Sequence, residues 1–268
     1  MIHWGLYQSA AWSELWQPGI FVQSIALQAL YLLFVVGPWR RVFPDAKRVH
    51  GKKMAIFFIG AWMFFFTFGS PLDYTSDHFL FSAHMLQHLM EILWMTPLLM
   101  VGVPDFVYRP LFAVKGLGHA MYALTKPIVA VIVFNVFFTA FHFPLLYDLT
   151  LKYEWFHFTE HLIFFITAFF LWWPILGIIP DTHALRSSKR MAYVFYNAML
   201  SMPITVILIV ATSPWYQGYV SAPRLIAGLS AIGDQQLGGV VMFISMVLTF
   251  GSIFFGTYLK YDNSEWYE

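Results

Sequence analysis

Long apolar runs separated by short polar segments dominate this sequence. Seven runs can be marked, at residues 19–37, 54–70, 78–101, 121–145, 155–178, 191–212 and 236–258. A helix that crosses a bilayer needs about 20 mostly apolar residues, whereas barrel strands are shorter and alternate in polarity. The pattern therefore predicts an all-α, polytopic membrane protein with seven transmembrane helices.

The pattern shows no convincing internal repeat and no linker, so residues 1–268 are interpreted as a single seven-helix transmembrane domain. Residues 1–18 contain no Lys or Arg, and we therefore expect no cleavable signal peptide. Their Trp and Tyr residues are typical of a membrane interface. We expect residues 1–18 to be an interfacial lead-in on the outer face and residues 259–268 to be a cytoplasmic tail.

The basic residues orient the predicted helices. Of the 15 Lys and Arg residues, all but Lys152 and Arg224 fall in segments that a seven-helix topology places on one side. Lys and Arg are enriched in cytoplasmic loops. The sequence therefore predicts an N-terminus outside the membrane and a C-terminus in the cytoplasm.

Composition supports a membrane protein and narrows its chemistry. Only 11% of the residues are charged and 59% are hydrophobic, whereas a soluble domain is about 25% charged. A net charge of +1 argues against a nucleic-acid partner. The chain has no Cys, which excludes disulfides and thiolate metal sites.

Six of the ten histidines lie in the outer half of the predicted membrane, on three consecutive helices. These six are His78, His84 and His88 in the third run, His142 in the fourth, and His157 and His161 in the fifth. Ionisable residues inside a membrane are functional candidates by default. The pairs at positions 84/88 and 157/161 are spaced i,i+4, which puts both rings of a pair on one helix face. Since imidazole is a common ligand of copper, zinc and iron, we predict a metal or haem site, if the three helices converge.

Other side chains are candidates for additional ligands or for groups that orient a ligating histidine: Asp77, Asp234, Glu160 and Met85, with Asp73 as a further outer acid. Several of the candidate residues have a structural alternative. Met85 can be a packing residue and Glu160 can face the outer water. His142 and His78 can be interhelical hydrogen-bonding residues. Glu91, deeper on the His88 face, fits either a proton relay or a partner for a neighbouring helix.

Several motifs resemble the CtaG family of cytochrome c oxidase assembly factors. They are Ser82-Ala83-His84-Met85-Leu86-Gln87-His88, Pro97-Leu98-Leu99, Gly102-Val103-Pro104, His142-Phe143-Pro144 with Tyr147-Asp148, His157-x-x-Glu160-His161-Leu162, Trp172-Trp173-Pro174 and Asp234-Gln235-Gln236-Leu237-Gly238-Gly239. The resemblance runs from about residue 70 to 258. Phe141 and Phe243 stand where the family often has Trp, and neither position could supply a metal ligand.

The resemblance implies a multi-pass protein of the bacterial plasma membrane that helps to mature a haem–copper oxidase. The implied role is a non-enzymatic, copper-binding metallochaperone with no catalytic residues. Its implied partners are an oxidase subunit and other copper chaperones. Aromatic-rich helix faces are compatible with packing against the oxidase or against a second copy of the chain.

Two alternatives remain open from the residues. A bis-histidine haem b protein would act as an electron carrier, although i,i+4 histidines on one helix cannot be the two opposite axial ligands of one haem. A membrane zinc hydrolase would need three histidines and an acid/base carboxylate, for which Asp77, Asp234 or Glu160 could serve. The sequence leaves the metal, its oxidation state, the number of sites and the oligomeric state undetermined.

Overall fold

The computed structural model of this chain describes residues 2–8, 10–43 and 45–265, and within these residues the fold is helical with no β-strand. One isolated antiparallel bridge joins Ile2 to Ile226. Two short 3-10 helices cover Trp4–Tyr7 and Pro38–Val42. Two π-helical segments, Leu32–Val36 and Met90–Met95, continue the α-helices that precede them.

The α-helices of the described residues are α1 (Trp12–Leu15), α2 (Pro18–Tyr31), α3 (Gly51–Phe68), α4 (Pro71–His78), α5 (Phe81–Leu89), α6 (Thr96–Gly102), α7 (Asp105–Ala113), α8 (Leu117–Leu124), α9 (Pro127–Phe141), α10 (Pro144–Lys152), α11 (Glu154–Leu176), α12 (Ser187–Val210), α13 (Gln217–Ser221) and α14 (Ala231–Glu265).

Five helical stretches are long and apolar enough to cross a membrane: Pro18–Val36, Gly51–His78, Glu154–Leu176, Ser187–Val210 and Ala231–Lys260. Two further candidates are bent pairs. The stretch Phe81–Gly102 meets α7 at 93°, and α8 meets α9 at 82°. If each bent pair counts as one span, the described residues hold up to seven. The structure therefore confirms the predicted all-helical class and gives five to seven candidate membrane spans.

Both bends lie next to a proline. Pro104 precedes α7, and Pro127 opens α9 after the break that follows α8. A proline cannot donate the helical hydrogen bond, and it disfavours the helical conformation of the residue before it. These two prolines explain why the predicted runs at 78–101 and 121–145 belong to broken helices.

The predicted start of the third run at residue 78 is wrong. Ser70 caps a new helix by accepting the N–H of Leu72 at 3.3 Å, and Pro71 occupies its first turn. Residues 71–77, which lie between the second and third predicted runs, are therefore helical, and His78 ends α4. The third run begins with α5 at Phe81.

The chain's other predicted ends also shift. The predicted outer loop 146–154 lies mostly in α10. The predicted tail 259–268 continues α14 as far as Glu265, and residues 266–268 lie outside the described residues.

Close helix contacts hold α14 in the bundle. A Cβ on Gly238 would lie 2.5 Å from the Phe81 ring, and one on Gly239 would lie 3.1 Å from the Thr205 carbonyl oxygen. Because these glycines have no side chain, α14 can approach both α5 and α12.

A buried amide pair links α9 to α12. Asn135 Nδ2 donates to Asn197 Oδ1 at 2.8 Å, and Ser201 Oγ donates to Asn135 Oδ1 at 2.6 Å. Polar contacts of this kind fix neighbouring helices inside a membrane bundle.

The lead-in, α4, α10 and α13 meet at one end of the bundle. The N–H of His3 donates to the Leu225 carbonyl at 2.8 Å.

Tyrosine hydroxyls connect the elements at this end of the bundle. Burial raises the pKa of the Tyr219 phenol well above its usual value, so Tyr219 stays protonated and donates to the Ser76 carbonyl at 2.7 Å. The Tyr147 hydroxyl, 3.0 Å from that of Tyr219, then acts as the donor of the pair. Tyr147 also lies beside His84, with ring centroids 5.2 Å apart, so this end adjoins the histidines.

Candidate metal centre

Asp234 fixes the beginning of α5, the helix that carries His84 and His88. Its carboxylate accepts the N–H groups of Phe81 at 2.7 Å and Ser82 at 3.2 Å, and the Ser82 hydroxyl at 2.5 Å. The first N–H groups of a helix have no partner within the helix, and a negative charge there is favourable. Asp234 was predicted as an additional ligand or an orienting group for histidine. The structure instead places its oxygens on the helix terminus, so it positions the site through the backbone.

Gln87 fixes the rotation of α5. Its side chain is fully buried and accepts the Ser76 hydroxyl at 2.8 Å. It donates to the Thr67 carbonyl at 3.0 Å and to Asp73 Oδ1 at 2.6 Å. These bonds tie α5 to the α3–α4 segment. The sequence pattern did not predict this role of Gln87, although an amide between two histidines in an apolar run was an available signal.

Below His88 the helix widens into the π-helical segment Met90–Met95. Two backbone carbonyls of this segment accept hydrogen bonds from side chains. The Thr96 hydroxyl donates to the Glu91 carbonyl at 2.8 Å, and the Trp172 indole donates to the Ile92 carbonyl at 2.7 Å. π-helical segments often occur at functional sites. Here the Glu91 side chain is 1% exposed, and its Oε2 lies 2.8 Å from His161 Nδ1. The sequence left open whether Glu91 is a proton relay or a partner for a neighbouring helix. This contact joins Glu91 to α11, a neighbouring helix.

One face of α11 carries His157, Glu160 and His161, as their i, i+3 and i+4 spacing requires. When a Glu91 carboxylate accepts the Nδ1–H of His161, a neutral His161 has its lone pair on Nε2. That nitrogen lies 2.9 Å from His157 Nε2, which then carries the proton.

Five of the six predicted histidines come together. The ring of His84 lies 4.4 Å from that of His88, 5.2 Å from that of His157 and 6.0 Å from that of His161, between centroids. The ring of His88 lies 4.7 Å from that of His161 and 6.5 Å from that of His142. Helices α5 and α11, with the C-terminal end of α9, thus converge on one cluster.

Two predicted residues lie elsewhere. His78 is exposed, stacks on Tyr74 with ring centroids 4.2 Å apart, and contacts the Tyr74 carbonyl through Nδ1 at 3.0 Å. It is separated from the cluster because it ends α4 instead of opening the next helix. Met85 is buried in the core on another face of α5, against Gly238. The structure therefore does not bring His78 and Met85 together with the other five histidines.

The buried nitrogens of the cluster are largely unpaired. Within the described residues, both ring nitrogens of His84 and of His88 have no hydrogen-bond partner, and neither does Nε2 of His142. The other nitrogen of His142 donates to the Phe138 carbonyl at 2.5 Å, which leaves a lone pair on Nε2. Buried polar groups are nearly always paired, so this many unpaired imidazole nitrogens in one place is typical of a ligand site.

Glu160 lies inside the cluster and does not face water. It is 1% exposed. Its Oε1 is 3.6 Å from His88 Nε2, and its Oε2 is 3.9 Å from His84 Nε2. The position suits an additional ligand or a group that orients a ligating histidine.

Two groups of side chains have ligand atoms within 4.8 Å of one another: His84, His88 and His161, and Asp77, His84 and His157. A metal–nitrogen bond of about 2.1 Å places two nitrogens on one ion at most about 4.2 Å apart. Small side-chain movements would therefore close either group around an ion. Imidazole and carboxylate donors without thiolate suit copper and zinc.

Comparison with known proteins places the chain in a family. The family model for the cytochrome c oxidase caa3 assembly factor (CtaG) matches residues 29–260, a range that includes every residue of the histidine cluster. The chain is 25% identical over 179 residues to the uncharacterised proteins Mb0105 of Mycobacterium bovis and MT0111 of Mycobacterium tuberculosis. The match covers 60% of this chain and 26% of each relative, so the chain spans about a quarter of the relatives' length. No solved structure matches the chain. Since the family model covers most of the sequence, this protein belongs to the CtaG family of cytochrome c oxidase caa3 assembly factors.

Proposed function

We propose that this protein is a membrane-embedded metallochaperone that carries copper during the maturation of a haem–copper oxidase. The observation that supports this most strongly is the set of buried, unpaired nitrogens on His84, His88 and His142. The family supplies the oxidase as the target. The donor set, which is made only of nitrogen and oxygen, fits copper as the cargo.

A carrier role explains why the cluster has more donors than one ion needs. A copper or zinc site typically uses about four ligands, whereas five imidazoles and the carboxylates of Glu91, Glu160 and Asp77 adjoin here. Surplus ligands allow stepwise exchange during uptake and release. The proposed role is therefore not enzymatic: the protein would transfer copper to the oxidase and would not convert a substrate.

We further propose that the chain is a single seven-helix transmembrane domain in the bacterial plasma membrane, with the N-terminus outside and the C-terminus in the cytoplasm. In this arrangement the bundle end formed by the lead-in, α4, α10 and α13 faces outward. Copper would reach the cluster from that side, from solution or from another copper chaperone. It would leave to an oxidase subunit in the same membrane.

The test is the metal content of the purified protein by element-resolved analysis, with an optical spectrum of the same sample. We expect copper in the wild type. We expect a loss of most of it in the double variant His84→Ala/His161→Ala, because the variant removes two of the three nitrogens of the buried group. The exposed His119 supplies the matched control His119→Ala, which should keep wild-type copper. A wild type without copper, or a double variant with unchanged copper, contradicts the proposal.

The same sample tests the two alternatives. The buried group of three histidines with Glu160 beside it also resembles the ligand set of a zinc hydrolase. Bound zinc together with ester or amide hydrolysis would favour that function. A Soret band would favour a haem protein.

A further inference from the structure

A polar cleft opens at the bundle end that carries the lead-in. Its volume is about 490 Å³, and Glu14, Asp73, Asp77 and His78 are among the residues that line it. Two of its three carboxylates are engaged elsewhere. Glu14 accepts the Ala11 N–H at 2.8 Å, and the two oxygens of Asp73 accept from the side-chain amides of Gln87 and Gln17.

Asp77 is the carboxylate that links this cleft to the histidines. Its side chain is 33% exposed, and its Oδ1 lies 3.9 Å from His157 Nε2 and 3.2 Å from the Ser76 hydroxyl. Together with His157 and His84 it forms one of the two groups able to hold an ion. His84 is fully buried, and both of its ring nitrogens are unpaired. A possible metal ligand without a hydrogen-bond partner therefore lies deeper in the protein than Asp77.

The two groups share His84, one pair of their other members is adjacent, and His88 lies beside the shared residue. His157 Nε2 lies 2.9 Å from His161 Nε2, and the rings of His84 and His88 lie 4.4 Å apart. Exposure of the side chains falls along the series, from 33% at Asp77 and 17% at His157 to 11% at His161 and 2% at His88. An ion can therefore move inward by exchanging Asp77 for His88 and His157 for His161 while it remains bound to His84.

We propose that the cleft is the inlet for the copper cargo, with Asp77 as its first ligand, and that the two groups are successive stations on one route. The outer station is Asp77, His157 and His84, and the inner station is His84, His88 and His161. The step between them is ligand exchange without a change of oxidation state. Because the stations share His84, they hold one ion in total. This inference rests on the proposed copper-carrying function.

The test measures how fast purified full-length protein in detergent takes up Cu(II), by stopped-flow quenching of tryptophan fluorescence, together with copper bound at saturation. Asp77→Asn removes the first ligand and the negative charge at the mouth. We expect uptake to slow about tenfold or more, since charged clefts raise association rates by about 10–1000-fold. Saturation should remain at one copper per chain, because the inner station is intact. Glu154→Gln is the control. Glu154 lies in the exposed first turn of α11 and outside the cleft lining, and this variant should load at the wild-type rate.

A second variant tests the order of the stations. His88→Ala removes a ligand of the inner station only. Copper bound to this variant should therefore stay at the outer station. An added chelator should remove it at least about tenfold faster than it removes copper from the wild type, because the inner station is incomplete. Uptake by Asp77→Asn at the wild-type rate overturns the route. Two coppers per wild-type chain, one of which Asp77→Asn abolishes, overturns it as well, because the sites would then be independent. A wild type that binds no copper contradicts the proposed function itself, so the two failures are distinguishable.

Discussion

Each imidazole of the cluster has two ring nitrogens, and their contacts decide which of them can bind a metal. The Phe138 carbonyl accepts the Nδ1 proton of His142, and a Glu91 carboxylate at 2.8 Å can accept that of His161. In both residues Nε2 is left as the ligand atom. Metal-bound histidines commonly donate their second N–H to a carboxylate or a carbonyl in this way.

Replacing Glu91 should weaken metal binding without removing a ligand. In Glu91→Gln the side chain keeps a hydrogen-bonding partner for His161 but can no longer become the carboxylate that raises the basicity of the ring. We expect copper affinity to fall about 10- to 100-fold, the range for groups that orient metal ligands. Competition with a chelator of known affinity measures this change.

The matched control for that variant is Glu154→Gln, the same substitution at an exposed position in the first turn of α11. It should bind copper as the wild type does. Equal affinity in Glu91→Gln and Glu154→Gln would show that the Glu91 contact does not support the site.

Sequence spacing predicted some of these residues and missed others for a physical reason. The i,i+4 pairs 84/88 and 157/161 follow from helix geometry alone, so each pair could be placed on one face. Contacts between helices depend on the rotation of each helix about its axis, which spacing does not determine. The contact of Glu91 with His161 and the tether at Gln87 are of this kind.

The position of α5 depends on elements far away in the chain. Its first N–H groups are capped by Asp234 of α14, and its rotation is fixed by Gln87 against α3 and α4. The apolar pattern could not predict this break, because Phe79 and Leu80 continue the apolar run while the polypeptide leaves the helical conformation there. His78 was consequently grouped with the wrong helix.

Removing the cap of α5 should destabilise the protein. Asp234→Ala leaves the N–H groups of Phe81 and Ser82 unpaired at a buried site, and loss of a helix cap with buried donors costs about 1–3 kcal/mol. We expect a lower thermal unfolding temperature in detergent, followed by circular dichroism. Asp181→Ala, in an exposed loop, is the control and should unfold as the wild type does. If Asp234→Ala also unfolds at the wild-type temperature, the capping role is refuted.

At the scale of the whole molecule, the apolar runs predicted the helical membrane class, and the structure contains five to seven candidate spans. The number stays a range because two candidates are broken by bends of 93° and 82°. Apolar runs indicate how much chain can lie in a membrane, but a sharp bend at a proline changes how that chain crosses it.

The proposed orientation can be tested with single cysteines, because the chain has no Cys. Lys152→Cys and Lys115→Cys replace exposed residues that the positive-inside rule puts on opposite sides of the membrane. In intact cells a membrane-impermeant maleimide should label position 152 and should label position 115 only after permeabilisation. The opposite labelling pattern would invert the topology and place the cleft at the cytoplasmic side.

A copper site that histidines from different helices share should lose copper when a ligand is removed from either helix, and copper bound per chain in single-helix variants measures this loss. His88→Ala changes only α5, His161→Ala changes only α11, and His119→Ala changes the exposed control position. At limiting copper, with a competing chelator present, we predict that the first two variants each lose most of the wild-type copper while the control keeps it. Wild-type copper in either His88→Ala or His161→Ala would contradict a site shared between α5 and α11.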